Sequence, residues 1–196
     1  MTPDIHALIL AGGFSTRMGN NKALLKIHSK PQWLYLADLC RNAGLNTYIS
    51  CRSNQETAQQ LLYPVIIDQY DSIGPMGGIL SAFKYNPTVA WLIIACDMPG
   101  INKKAISTLL GNRNSSKMAT VFLDEHHRID PLFSIIEPTF LNKLLSSYDQ
   151  KLYSVKAVLE NCDIERVRIF NTAEILQNIN TPADLKKFTN GKQHSE

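Results

Sequence analysis

The sequence predicts one α/β domain in three layers, in which helices cover both faces of a mostly parallel β-sheet. Apolar segments of strand length alternate along the chain with amphipathic segments of helix length. This alternation is typical of parallel sheets that are buried on both faces. A chain of 196 residues, of which 44% are hydrophobic and 19% charged, is also long enough to bury such a core and is not of disordered composition.

The predicted elements follow the chain in order. Ile5–Leu10 has the pattern of a buried strand, with the apolar run Ala-Leu-Ile-Leu at 7–10. In residues 31–43 apolar side chains recur at helical spacing, and Gly44 is placed to end that helix. Near the end of the chain, Thr181 and Asp184 are spaced as the N-cap and the acidic third residue of a helix. The other predicted strands are 46–51, 65–67, 90–95 and 119–123, and the other predicted helices are 55–62, 77–84 and 103–110.

The segment after the first strand is rich in glycine and cations. It contains Gly12, Gly13 and Gly19, together with the cations Arg17 and Lys22. Glycine lets the backbone approach a ligand closely, and successive backbone N–H groups form a concave site for anions. Arginine and lysine supply charge for phosphate oxygens. The spacing fits neither the P-loop nor the dinucleotide-binding fingerprint, yet the combination indicates a loop for a nucleoside triphosphate rather than a plain turn.

Polar side chains lie at the ends of three other predicted strands. Ser50 and Asp68 lie at or just after the second and third strands, and Asp97 follows the fourth. Because ligands of parallel sheets bind at the carboxyl ends of strands, we expect these residues to share one site. A carboxylate there suits Mg²⁺, which binds few protein carboxylates and prefers substrate phosphates for its other positions. Taken alone, Asp97 would serve equally well as a helix N-cap, Asp68 as a loop residue and Ser50 as a strand-end serine.

These motifs resemble those of the molybdenum cofactor guanylyltransferases, within the nucleotidyltransferase superfamily. The resemblance covers residues 5 to about 185 and is more specific in the first half of the chain. The segments that carry it are Leu-Ala-Gly-Gly-Phe-Ser-Thr-Arg-Met-Gly-Asn-Asn-Lys at 10–22, Asp68 with Gly-Pro-Met-Gly-Gly at 74–78, Cys-Asp-Met-Pro at 96–99, Asp-Pro-Leu-Phe at 130–133 and Asn-Ile-Asn-Thr-Pro at 178–182.

The resemblance implies a Rossmann-like nucleotidyltransferase fold, similar to that of glycosyltransferase A enzymes. We expect a single domain over residues 1–196, with a nucleotide-binding half at 5–100, a pterin-substrate half at 101–188 and a frayed tail at 189–196. The implied reaction is transfer of GMP from GTP to molybdopterin, the organic part of the molybdenum cofactor, with release of pyrophosphate. Mg²⁺ is the implied cofactor, and transient contacts are expected with the proteins that supply molybdopterin and accept the product.

The resemblance also assigns roles to individual residues. Arg17, Lys22 and Asp97 would be catalytic, and Asp97 would hold the metal. The pterin would lie on the side of Arg128, Pro131, Asn178 and Asn180. The implied GTP-binding residues are Leu10, Ala11, Gly12, Gly13, Lys22, Ser50, Asp68 and Asp97.

Two positions depart from the family pattern, and three alternative functions stay open. Asn21 stands where an aspartate is common, and Ser50 stands where an asparagine is sometimes found. Related cytidylyltransferases usually carry Leu-Ala-Ala-Gly where this chain has Leu-Ala-Gly-Gly, so guanine is favoured over cytosine by resemblance alone. A sugar-phosphate nucleotidyltransferase is a further alternative. So is a non-catalytic nucleotide-binding protein or chaperone on the same fold, although Arg17, Lys22 and Asp97 argue against it.

Composition and charge limit the binding partners and the cellular location that the sequence predicts. The net charge is only +3 and the cations are scattered, which argues against nucleic-acid binding. The four cysteines include no Cys-x-x-Cys pair, so a zinc site is not predicted. No apolar run approaches the roughly 20 residues that span a membrane, and the first residues do not resemble a signal peptide. We therefore expect a soluble cytoplasmic protein that binds neither membranes nor nucleic acids.

Overall fold

A computed structural model describes residues 2–11, 27–52, 62–70, 72–168, 172–179, 181, 183–184 and 186–188. Within them, one seven-stranded sheet has the strand order β3-β2-β1-β4-β6-β5-β7. Only β6 runs antiparallel to its neighbours in this part of the chain. The strands are β1 (Ile5–Leu10), β2 (Asn46–Cys51), β3 (Val65–Ile67), β4 (Ala90–Ala95), β5 (Ala119–Leu123), β6 (Ile129–Ile136) and β7 (Ile164–Val167).

Helices cover both faces of this sheet. They are α1 (Gln32–Asn42), α2 (Pro75–Tyr85), α3 (Lys103–Gly111), α4 (Leu141–Asp149), α5 (Val155–Glu160) and α6 (Thr172–Ile175), with a 3₁₀ turn at Pro138–Phe140. Successive side chains of a strand point to opposite faces. Ile9 and Ile94 accordingly pack in one apolar cluster with α1 and α3, whereas Leu8 and Ile93 pack in another with α2 and α4. The predicted three-layer α/β/α architecture with a mostly parallel sheet is confirmed.

The predicted elements agree closely with the observed ones. The five predicted strands have the bounds expected, and three predicted helices appear as α1, α2 and α3 with ends shifted by one or two residues. Gly44 follows α1 with φ of 84°, a conformation that glycine adopts easily. Thr181 and Asp184 exchange hydrogen bonds between backbone N–H and side chain, at 2.8 and 3.2 Å, as a capped helix start requires.

Other parts of the prediction were incomplete or cannot be compared. The helix expected at 55–62 falls almost wholly outside the described residues. Strands β6 and β7 and helices α4, α5 and α6 were not predicted from the sequence. No helix among the described residues is long and apolar enough to cross a membrane.

Candidate functional site

One edge of the sheet gathers the carboxyl ends of six strands and the amino end of β6. Leu10, at the end of β1, pairs with Ser50 of β2 on one side and with Ala95 of β4 on the other. Asp68 follows the end of β3, and Asp97 lies two residues beyond the end of β4. The structure therefore brings Leu10, Ser50, Asp68 and Asp97 to one edge, as strand order and direction require. Their roles toward a nucleotide stay predictions.

The chain enters the glycine-rich segment between β2 and β4. The N–H of Ala11 donates to the carbonyl of Ser50 at 3.0 Å, and the N–H of Cys96 donates to the carbonyl of Leu10 at 3.3 Å. The parallel ladder thus continues to the last described residue before that segment. The predicted phosphate-binding and catalytic residues Gly12, Gly13, Arg17 and Lys22 lie outside the described residues, as does Asn180.

Ser50 and Asp68 are directly bonded. The Ser50 hydroxyl, on a residue only 1% exposed, donates to Asp68 Oδ1 at 2.6 Å. Helix α2 packs against this pair through Gly78. A Cβ at Gly78 would lie 2.5 Å from Ser50 Oγ and 2.8 Å from Leu10 Cδ2, so glycine is required by close approach. What the structure assigns to Ser50 is orientation of Asp68; its predicted direct contact with the nucleotide stays a prediction.

Asp97 is not the N-cap of the following helix. Helix α3 begins at Lys103, and its N-cap is Asn102, whose side-chain oxygen accepts from the N–H of Ala105 at 3.0 Å. The capping alternative for Asp97 is therefore wrong. The backbone carbonyl of Asp97 instead accepts from the N–H of Ile179 at 2.8 Å. This bond places the exposed Asn178, one residue earlier, close to the Asp97 loop.

A bulge in β6 carries a second carboxylate to this edge. Val121 of β5 pairs with Ser134, but the next residue, Phe122, pairs with Asp130, so residues 131–133 have no partners in β5. Proline lacks the N–H that a ladder needs and is found at bulges, and Pro131 lies in this one. On the other side, β6 pairs antiparallel with β4 up to Ile94 and Phe133. Continued three residues beyond the pair Ile94 and Phe133, this antiparallel register brings Asp97 opposite Asp130.

The two carboxylates interact electrostatically. Burial raises the pKa of the Asp130 carboxyl, and the charge of Asp97 raises it further, whereas the N–H groups of Leu132 and Phe133 lower it. The N–H of Leu132 donates to Asp130 Oδ1 at 2.8 Å. Asp130 belongs to the Asp-Pro-Leu-Phe motif at 130–133, but no role was predicted for it from the sequence. The sequence feature that could have identified Asp130 is an aspartate directly before a proline within an apolar run.

The described pterin-side residues, Arg128, Pro131 and Asn178, lie near the same edge. Arg128 belongs to the hairpin between β5 and β6, where its Nε donates to Asp124 Oδ2 at 2.7 Å. The side chain is 64% exposed, so this ion pair is screened by water and is weak. Pro131 is half-buried in the bulge. Arg128 is thus held by Asp124 in an exposed ion pair, and its contact with the pterin substrate stays a prediction.

The donor set at this edge fits a magnesium ion that arrives with a triphosphate. Asp97 and Asp130 offer carboxylate oxygens, which are hard donors that Mg²⁺ prefers. In the part of the chain that the structure describes, no group of three or more His, Cys, Asp or Glu side chains is arranged to hold a metal. Mg²⁺ needs no such group, because it uses one or two carboxylates and completes its shell with phosphates and water.

Asp130→Asn should raise the melting temperature at neutral pH when no divalent cation is present. The folded protein binds a proton at Asp130 more tightly than the unfolded chain does, because the pKa of Asp130 is raised. Wild-type stability therefore falls as pH rises from the unfolded pKa of about 4 through the folded value. The asparagine oxygen still accepts from Leu132 and carries no charge, so the variant avoids this loss.

Thermal denaturation between about pH 3 and pH 8 measures the effect. The difference in melting temperature should vanish near pH 3, where aspartate is protonated in both states. It should reach its full size above the folded pKa of Asp130. A variant that is less stable than wild type at pH 7 would contradict this account of the two carboxylates.

Comparison with known proteins adds an independent observation. The family model described as MobA-like NTP transferase domain matches residues 7–167. The molybdenum cofactor guanylyltransferase of Yersinia pestis (strain Pestoides F) is 28% identical over 187 residues, which are 94% of this chain and 94% of that protein. The molybdenum cofactor biosynthesis bifunctional protein of Synechocystis sp. is 31% identical over 182 residues, or 92% of this chain. The chain spans about half, 52%, of the length of that protein.

A solved structure shares the fold. Molybdopterin-guanine dinucleotide biosynthesis protein A from Archaeoglobus fulgidus superposes with a TM-score of 0.79 over 96% of this chain and 99% of its own. Its sequence identity to this chain is 19%, so the likeness shows the fold alone.

Proposed function

This chain belongs to the family of MobA-like NTP transferase domains, and from that premise we propose that it transfers GMP from GTP to molybdopterin. The observation that carries the proposal is Asp97, an aspartate just beyond the end of the central strand β4 that does not cap the following helix. The relative from Yersinia pestis, matched over 94% of both chains, is named a molybdenum cofactor guanylyltransferase. That name supports the choice of guanine and of molybdopterin.

The proposed reaction is attack of a terminal phosphate of molybdopterin on the α-phosphorus of GTP. One P–O bond forms there, the bond to the bridging oxygen of the β-phosphate breaks, and pyrophosphate leaves. Both reactants are anions, so catalysis consists of positioning and charge neutralisation. The attacking phosphate is already ionised, so no general base is required. The N–H groups of Gly12 and Gly13 would bind the triphosphate, and Arg17 and Lys22 would neutralise it.

The residues at the sheet edge would bind the metal, the nucleoside and the pterin. Asp97, with Asp130 beside it, would hold Mg²⁺, which supplies positive charge to phosphate oxygens when bound. Asp68, oriented by Ser50, would contact the nucleoside. The pterin would lie toward Asn178, Asn180 and the hairpin that carries Arg128. In this arrangement the nucleoside would lie on one side of β4 and the pterin on the other, with the α-phosphate of GTP between them.

GTP with Mg²⁺ should raise the melting temperature more than CTP or ATP does. A ligand at 100 times its dissociation constant stabilises the native state by about 2.7 kcal/mol. For a domain of this size, that corresponds to a shift of roughly 5–10 °C. Thermal shift assays with each nucleotide, with and without Mg²⁺, measure this preference. Equal or larger shifts with CTP would overturn the guanine assignment and favour a cytidylyltransferase.

Pyrophosphate release tests whether the bound nucleotide reacts. Release should require GTP, Mg²⁺ and molybdopterin together. Release with a sugar phosphate in place of molybdopterin would favour a sugar-phosphate nucleotidyltransferase. Binding of GTP without release under any of these conditions would favour a non-catalytic nucleotide-binding protein.

A further inference from the structure

Three successive backbone carbonyls, beginning at Asp97 itself, are each bound by a different residue from elsewhere in the chain. The carbonyl of Asp97 accepts from the N–H of Ile179 at 2.8 Å. The carbonyl of Met98 accepts from Gln32 Nε2 at 3.4 Å. The carbonyl of Pro99 accepts from His28 Nε2 at 3.0 Å, and because a carbonyl has no proton to give, Nε2 must carry one.

Two of these donors come from the segment that follows the glycine-rich residues. His28 precedes helix α1, and Gln32 is its first residue. Their partners lie 71 and 66 positions further along the chain. The His28 ring stacks on Tyr35, with ring centroids 3.8 Å apart and planes inclined by 16°. Gln32 is 0% exposed. Both donors are therefore fixed by packing, so little side-chain entropy is lost when they bind the loop.

The other side of the same loop is held by close packing. Met98 is buried, and a Cβ at Gly100 would lie 2.0 Å from the carbonyl oxygen of Glu174 in α6. The loop that carries Asp97 thus has contacts from α1 and its leading segment on one side and from residues 174–179 on the other. The backbone at Asp97 has little room to shift.

We propose that His28 and Gln32 are positioning residues that fix the Asp97 loop relative to the chain leaving the nucleotide-binding segment. The inference rests on the proposed function, because it takes Asp97 as the metal ligand. Mg²⁺ demands nearly ideal octahedral geometry at 2.0–2.1 Å, and displacements near 1 Å are known to slow enzymes greatly. A loosened loop should therefore weaken use of the metal more than it weakens binding of GTP.

Three variants separate the hydrogen bonds from the packing. His28→Phe keeps a ring that can stack on Tyr35 and removes the donor to Pro99. His28→Gln retains an N–H donor of similar reach and serves as the rescue control. Gln32→Met has similar length and no donor. Gln32 Oε1 is buried without a hydrogen-bond partner among the described residues, so methionine should be tolerated there.

The measurement is the Mg²⁺ concentration that gives half-maximal GMP transfer, together with hydrogen exchange of the backbone amides of Asp97, Met98 and Gly100. We expect His28→Phe and Gln32→Met to need about three- to tenfold more Mg²⁺ and to exchange these amides faster. The KM for GTP at saturating Mg²⁺ should stay within about twofold of wild type. His28→Gln should resemble wild type in both measurements.

The outcomes separate this inference from the proposed function. If wild type transfers no GMP, the proposed function fails, and the exchange rates still report whether the two side chains hold the loop. If wild type is active and His28→Phe and Gln32→Met keep the wild-type Mg²⁺ requirement, the inference is overturned. An increase in the Mg²⁺ requirement that is equally large in His28→Gln would overturn it too, since the donor would then be irrelevant.

Discussion

Asp97→Asn should fold normally, still bind GTP, and lose at least about 100-fold in Mg²⁺-dependent GMP transfer. Asparagine keeps an oxygen of the same shape but lacks the negative charge that holds a hard cation. Stabilisation of phosphate charge by a metal is worth several kcal/mol, and each 1.36 kcal/mol of barrier is tenfold in rate. The fold should survive because Asn102 caps α3 and because Ile179 bonds the backbone, not the side chain, of Asp97.

Initial rates over a Mg²⁺ titration, with GTP binding measured separately by thermal shift, check this expectation. Asn102→Ala is the matched control, because it removes the real cap five residues away. It should lower stability by about 1 kcal/mol and leave the transfer rate at saturating Mg²⁺ unchanged. Near-normal transfer by Asp97→Asn at ordinary Mg²⁺ would make Asp97 structural. The metal ligand would then have to be sought at Asp130 or Asp68.

The sequence predicts those strands and helices whose burial gives a regular pattern of apolar residues along the chain. Every residue of β4 is buried, as are Ala7, Leu8 and Ile9 of β1, so each strand contains an uninterrupted apolar run. Strand β6 was not predicted because Asp130, Pro131 and Ser134 interrupt its apolar pattern. The interruption at Pro131 has a structural cause, since the bulge at 131–133 leaves it out of the ladder with β5, whereas Asp130 and Ser134 flank the bulge and stay paired. Edge strand β7 has only four residues, too few for a clear period.

The same distinction applies to the site. Ser50, Asp68 and Asp97 could be found because each lies at or near the end of a predicted strand, and parallel strands end at one edge. The contacts of His28 and Gln32 could not be found, because hydrogen bonds between residues 71 and 66 positions apart leave no local pattern. Asn102 was not predicted as the cap, although it directly precedes the helix predicted at 103–110 and asparagine is a favoured N-cap.

Gly78→Ala is expected to destabilise the protein, because overpacking of a buried site costs about 1–3 kcal/mol. Alanine returns roughly 1 kcal/mol in a helix interior, so the net loss should be up to about 2 kcal/mol. The added Cβ would lie 2.5 Å from Ser50 Oγ. To escape it, the Ser50 hydroxyl must turn away from Asp68 Oδ1, to which it donates at 2.6 Å. Hydrogen bonds to charged groups contribute about 1.5–3 kcal/mol, so GTP affinity should fall roughly tenfold or more if Asp68 contacts the nucleoside.

A second substitution separates the packing defect from the loss of the hydrogen bond. Ser50→Ala removes the oxygen that the new Cβ meets, so the Gly78→Ala/Ser50→Ala double variant should be less destabilised than the two single changes predict by addition. Its GTP affinity should stay low, because Asp68 has lost its donor in every variant. Gly111→Ala is the control, since a Cβ there meets nothing within 4 Å; it should be neutral or slightly stabilising. Chemical denaturation and GTP titration measure both quantities. If Gly78→Ala and Ser50→Ala both bind GTP as tightly as wild type does, the Ser50–Asp68 pair is not part of the nucleotide site.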